Sequence, residues 1–118
     1  MDDIHLGERR RAAEAKRAIW PQRVLTDYFD AWVADRPEAT ALICHRHRSG
    51  DTATMSYGEL DRKATAIAAN LRRLGVRQGD VGSFQLPNWW QFPALLIANT
   101  RIGAVNNPMM PIYRHREL

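Results

Sequence analysis

The stretch VGSFQLPNWWQFPALLIANTRIGAV, residues 81–105, decides how this chain folds. Its first part predicts a strand over 81–86, and its end predicts a second, short strand over 104–106. Between them, residues 89–102 carry apolar side chains at helical spacing on more than one stripe, and Gly103 is a natural helix stop. A strand, a helix and a strand in this order predict a βαβ unit with parallel strands and a right-handed crossover.

The turn after the first strand leads into two adjacent tryptophans, Trp89 and Trp90. Asn88 and Gln91 match a capping box, which predicts a helix start at the tryptophans. Large aromatic side chains belong in a core, at a ligand mouth or at an interface. The matched cap favours packing of the helix start over lining a ligand channel or dipping into a membrane surface. Pro93 removes one backbone bond near this start and predicts a tightened or kinked first turn.

The clearest helix signal lies upstream of this unit. Ser56 and Glu59 form a capping box, which satisfies free backbone donors at a helix start. Gly75 suits the residue just beyond the end of the helix. Helical spacing is kept by the apolar residues Leu60, Ala64, Ile67, Ala68, Leu71 and Leu74. The sequence therefore predicts a long amphipathic helix that begins after Ser56.

Shorter elements precede this helix. Residues 8–18 predict a surface helix or a frayed arm, and 26–34 predict a second helix. This second helix carries one apolar stripe made of Leu25, Tyr28, Phe29 and Trp32. Residues 40–47 and 52–55 predict a β-hairpin around the turn Ser49-Gly50-Asp51.

Composition describes a globular chain with a basic excess. Of its 118 residues, 45% are hydrophobic and 25% charged, which is enough for one modest core. No apolar run is long enough for a membrane span, and the N-terminus has no secretory h-region. The single cysteine, Cys44, fits a reducing compartment, so we expect a cytoplasmic location.

The net charge of +4 raises the question of nucleic acid. The densest basic cluster, residues 8–17, also contains two acidic residues, Glu8 and Glu14, and such mixed charges are typical of a solvated helix face. No recognition motif accompanies it. This pattern favours a solvated helix over a phosphate-binding patch and predicts no nucleic-acid partner.

An ordered set of short motifs carries a resemblance to a known family. These motifs are Ser56-Tyr57-x-Glu59-Leu60, Leu74 to Val81, Leu86 to Asn88, Arg101 to Val105, Asn107-Pro108 and Tyr113 to Leu118, with Trp20-Pro21, Leu25-x-Asp27-Tyr28 and Arg36-Pro37 upstream. Over about residues 20–118 the chain resembles the N-terminal region of the AMP-forming adenylating enzymes. The Asn-Trp-Trp form and the closing Tyr-Arg look most similar to carboxylate–CoA ligases for fatty or alicyclic acids, including the cyclohexanecarboxylate type.

The resemblance implies an α/β fold: an incomplete N-terminal part of an adenylating-enzyme large domain, with a β-hairpin, a capped helix and one βαβ unit. We expect residues 1–19 to form a basic arm or helix. Residues 20–118 would form part of a ligase domain that is cut off at its C-terminal end, where the last residues look like the first turn of another helix. A sheet of only two parallel strands supports this expectation, because its edges would be left open and because parallel sheets are normally covered on both faces.

The family resemblance also implies a two-step reaction. A carboxylic acid attacks the α-phosphate of Mg-ATP to give an acyl-adenylate, and the thiol of CoA then displaces AMP. The family uses a Ser/Thr/Gly-rich loop ending in Pro-Lys-Gly, a later acidic residue and a C-terminal lysine. The nearest Ser/Thr/Gly-rich stretch here, residues 49–58, contains no lysine, and the lysines Lys16 and Lys63 lie in helical segments. We therefore assign no catalytic residue and expect ATP, Mg²⁺ and CoA to serve only the intact enzyme.

Three other groups of side chains invite a functional interpretation. His45 and His47 share a strand face and could supply half a metal site, but no further ligands are suitably spaced, which favours a solvated strand end. Cys44 points away from His45 and is predicted to lie in the core. The basic run of Arg114, His115 and Arg116 suits either an acidic ligand such as the CoA phosphates or an ordinary surface turn, and the turn is favoured.

Two main functions remain at this point, beside a third hypothesis of a basic surface-binding protein. The chain is either the N-terminal portion of an ATP-dependent carboxylate–CoA ligase, inactive alone, or a free-standing binding or regulatory module derived from that family. The first predicts the remainder of the synthetase domain as partner and a carboxylic acid as substrate of the intact enzyme, with peripheral membrane contact left open. The second predicts a monomer that unfolds cooperatively. The acid itself is not determined by these residues.

Overall fold

The computed structural model describes residues 7–17, 23–46 and 49–114. Trp20, Pro21, His47, His115 and Arg116, which entered the sequence predictions, lie outside these ranges. The elements, in chain order, are α1 (Glu8–Arg17), α2 (Leu25–Asp35), β1 (Thr40–His45), β2 (Thr52–Ser56), α3 (Tyr57–Arg73), β3 (Val81–Phe84), α4 (Gln91–Ile102) and β4 (Val105–Pro108). The α/β fold predicted from the sequence is confirmed.

The strands form two separate pairs. β1 and β2 make the predicted antiparallel hairpin. β3 and β4, which precede and follow α4 in the sequence, pair with each other in parallel, as the βαβ pattern requires. β3 ends at Phe84, two residues before the predicted end, and β4 extends through Pro108. None of the helices in the described ranges combines the length and the apolar composition needed to cross a bilayer.

The capping box of α3 is present as predicted. Ser56 Oγ accepts a hydrogen bond from the Glu59 N–H at 3.2 Å, and the Glu59 carboxylate accepts one from the Ser56 N–H at 2.9 Å. The backbone hydrogen bond from Ser56 is the main reason why the pKa of Glu59 lies below its ordinary value. At the other end, Gly75 has a φ of +96°, and the Val76 N–H reaches back to the Leu71 carbonyl at 3.0 Å. This is the pattern of a Schellman motif, which stops the helix.

The predicted start of α4 is wrong. The helix begins at Gln91 rather than at Trp89, and no side chain caps it. Asn88 is exposed, and its carbonyl instead accepts a hydrogen bond from Cys44 Sγ at 3.3 Å. Because helix formation starts two residues later, Pro93 falls within the first turn, where its missing N–H would have no helical partner in any case. No backbone bond is therefore lost at Pro93.

The second predicted helix is present as α2, and its apolar stripe is only partly covered. The stripe of Leu25, Tyr28 and Trp32 does share one helix face, but in the described structure that face is largely exposed, and Leu25 is 71% accessible. The residues turned inward are Thr26, which is buried, and Phe29, which is half-buried. Periodicity identifies which side chains share a face, but it does not tell which neighbouring element is present to cover that face.

Two apolar clusters form the core. One is made of Ala68, Ala98, Ile102 and Ala104, and the other of Met55, Leu60 and Ala94. The alanines of α3 and α4 allow the two helices to lie close together, because a short side chain leaves no ridge between them. α3 and α4 therefore join the hairpin to the parallel pair.

Candidate functional site

A cavity of about 420 Å³ lies where the two parallel strands end. It is lined by Leu86, Pro87, Asn88, Phe92, Pro108, Met109, Met110 and Pro111. In α/β proteins, ligands bind in the crevice beyond the carboxyl ends of parallel strands. The cavity is thus the place where this fold is expected to meet a ligand or a neighbouring chain segment.

The segment after β4 forms one wall of this cavity. Gln85 Nε2 donates hydrogen bonds to the carbonyls of Met110 and Tyr113, at 2.8 and 2.9 Å. The Met109 N–H donates to the Phe84 carbonyl at 2.9 Å, which extends the ladder past the end of β4. The side chain of Gln85 therefore fixes the position of residues 109–113 next to the end of β3.

The lining of the cavity is apolar. Phe92 packs edge-on against Phe84, with ring centroids 5.4 Å apart, and forms the part of the cavity lining that lies between α4 and β3. Among the lining residues, Asn88 is the one that has a polar side chain, and none has an ionisable side chain. The cavity can bury apolar surface, but its own side chains cannot transfer a proton or act as a nucleophile.

The two tryptophans occupy different environments. Trp90 packs against the cluster around Met55 and carries Lys63 Nζ over its ring at 4.5 Å. Trp89 remains 39% exposed and lies beneath the Arg46 guanidinium, whose Cζ is 5.1 Å from the ring centroid. Packing of the helix start is thus correct for Trp90, whereas Trp89 forms a surface stack between the hairpin and the turn before α4.

The other candidate residues do not form a site. Cys44 is buried, with 3% exposure, while the adjacent His45 is exposed and shares a hydrogen bond of 2.9 Å with Thr52 Oγ1. Within residues 7–17, 23–46 and 49–114, no three His, Cys, Asp or Glu side chains are grouped so that they could hold a metal ion. Arg114 is exposed, and the other two residues of the basic run, His115 and Arg116, lie outside the described ranges.

An ion-pair centre at Arg101 was not predicted from the sequence. Its guanidinium donates to the carboxylates of Asp30 on α2 and Asp61 on α3, and to Thr65 Oγ1 at 2.9 Å. Burial disfavours the charge of Arg101, but hydrogen bonds to the two carboxylates and their attraction outweigh burial and raise its pKa. No local pattern reveals this centre, since Asp30 lies 71 residues away in the sequence.

A buried amide network fixes α4 against β4. Asn99, 2% exposed, donates through Nδ2 to Asn106 Oδ1 at 2.9 Å, and Asn106 donates to Thr100 Oγ1 at 3.1 Å. The network holds α4 against β4 and thereby stabilises the βαβ unit.

The described residues do not fit a triphosphate or its Mg²⁺. The Ser/Thr/Gly-rich stretch at 49–58 is the hairpin turn, strand β2 and the cap of α3. Its Gly50 N–H donates to the Arg46 carbonyl at 2.8 Å rather than pointing into an anion cradle. No reaction step can be derived from these residues.

Comparison with solved structures defines the class of protein. The fold matches the N-terminal subdomain of Klebsiella oxytoca NpsA with a TM-score of 0.70 and 26% identity, over 80% of this chain and 23% of that chain. It matches acetoacetyl-CoA synthetase from Streptomyces lividans with a TM-score of 0.69 and 32% identity, over 76% of this chain and 14% of that chain. The structure is therefore an α/β portion of an adenylating-enzyme N-terminal region.

Sequence comparison then identifies the family. The model of the family described as AMP-binding enzyme matches residues 29–118, and the chain belongs to that family. It is 32% identical over 115 residues to the medium-chain fatty-acid–CoA ligase of Escherichia coli (strain K12), covering 98% of this chain and 19% of that protein. It is 36% identical over 99 residues to the 2-hydroxy-7-methoxy-5-methyl-1-naphthoate–CoA ligase of Streptomyces carzinostaticus, covering 84% and 17%. The chain spans about a fifth of these curated relatives.

Proposed function

We propose that this chain is the N-terminal portion of an ATP-dependent carboxylate–CoA ligase and is inactive by itself. The observation that carries the proposal is the family match over residues 29–118, at about a fifth of the length of the relatives. The catalytic loop and lysine that the family uses would then come from the remaining four-fifths of the protein.

In this proposal, residues 20–118 contribute scaffold, and residues 1–19 form a basic arm. The support is structural: α4 and the Asn99 network hold β3 and β4, and the apolar cavity lies at their carboxyl ends. The exposed aromatic face of α2 adds further apolar surface. Such surfaces suit packing against the remainder of a larger domain.

The family match also supports a set of partners and cofactors for the intact protein. We propose that it binds ATP, Mg²⁺, CoA and a carboxylic acid, and that the acid is of the fatty or alicyclic kind. The name of the Escherichia coli relative, a medium-chain fatty-acid–CoA ligase, supports a fatty acid. The proposed location is the cytoplasm, supported by the single cysteine, which cannot form an internal disulfide.

Pyrophosphate exchange into ATP tests the proposal. The 118-residue chain and the product of its reading frame extended beyond Leu118 are each assayed with a panel of medium-chain, alicyclic and aromatic acids. We expect no exchange above an acid-free blank for the short chain, and acid-dependent exchange for the extended product. Exchange by the short chain would contradict its inactivity, and a reading frame that stops at Leu118 would favour a free-standing module.

A further inference from the structure

We draw no further inference here: the strongest candidate, the apolar cavity beyond the carboxyl ends of β3 and β4, belongs to a chain that spans about a fifth of its curated relatives, and nothing in the structure shows whether a ligand or the rest of the domain covers it.

Discussion

Gly82 sets how closely α4 can lie to β3. A Cβ at this position would stand 2.7 Å from Nδ2 of Asn99, nearer than real Cβ contacts occur. Asn99 cannot move away easily, because it is buried and its amide is held by Asn106. The constraint therefore comes from space and not from backbone conformation.

We expect Gly82→Ala to lower the free energy of unfolding by about 1 to 3 kcal/mol, since overpacking forces a buried side chain to shift. Urea denaturation followed by circular dichroism measures the change. Gly7→Ala is the control, because a Cβ there meets no atom within 4 Å. Equal stability of the Gly82→Ala variant and the parent chain would contradict the close packing of α4 on β3.

At the scale of elements, the two long helices begin in different ways. α3 has a reciprocal cap between Ser56 and Glu59, whereas α4 starts at Gln91 without a side-chain cap, and the Asn88 side chain is exposed. The same sequence pattern, a capping residue followed three positions later by Glu or Gln, thus has two structural outcomes.

A matched pair of alanine variants separates these outcomes. Ser56→Ala should cost about 1 kcal/mol of unfolding free energy, because it leaves the Glu59 N–H without its partner. Asn88→Ala should cost about 0.5 kcal/mol or less, as at an ordinary surface position. Thermal unfolding of the two variants side by side gives the difference. A larger loss for Asn88→Ala than for Ser56→Ala would contradict the start of α4 at Gln91.

Local signals were predictable from the sequence, and contacts between elements were not. The α3 cap and the stop at Gly75 depend on residues within one turn of each other, so their pattern was sufficient. The start of α4 was misplaced because the turn at Asn88 is held by Cys44, 44 residues away. The apolar cavity was missed for the same reason: its walls come from two segments that meet only when β3 and β4 pair.

At the scale of the whole molecule, Arg101 joins three helices that lie far apart in the sequence, α2, α3 and α4. Its guanidinium joins Asp30 of α2 and Asp61 of α3 to α4, and Phe29 lies 5.7 Å from its Cζ. α2 turns few apolar side chains inward, so a larger share of its attachment depends on this charged contact.

We expect Arg101→Met to lower the unfolding free energy by about 2 kcal/mol, because two carboxylates lose a charged hydrogen-bond donor while the apolar packing is kept. Chemical denaturation measures this loss, and hydrogen exchange of α2 should speed up more than that of α3. Arg72→Ala, an exposed arginine on α3, is the control and should change stability little. If α2 exchanged at its original rate in Arg101→Met, the attachment of α2 would have to come from elsewhere.

The burial of Cys44 has a practical consequence for watching the hairpin move. Its thiol is enclosed between β1 and the turn before α4, and the sulfur is engaged with the Asn88 carbonyl. A thiol-reactive dye can attach only after this contact opens, so the labelling rate reports how often the hairpin separates from the βαβ unit. Because the chain has a single cysteine, the dye reports only on the contact between β1 and the turn before α4, and no labelling site has to be introduced by mutation.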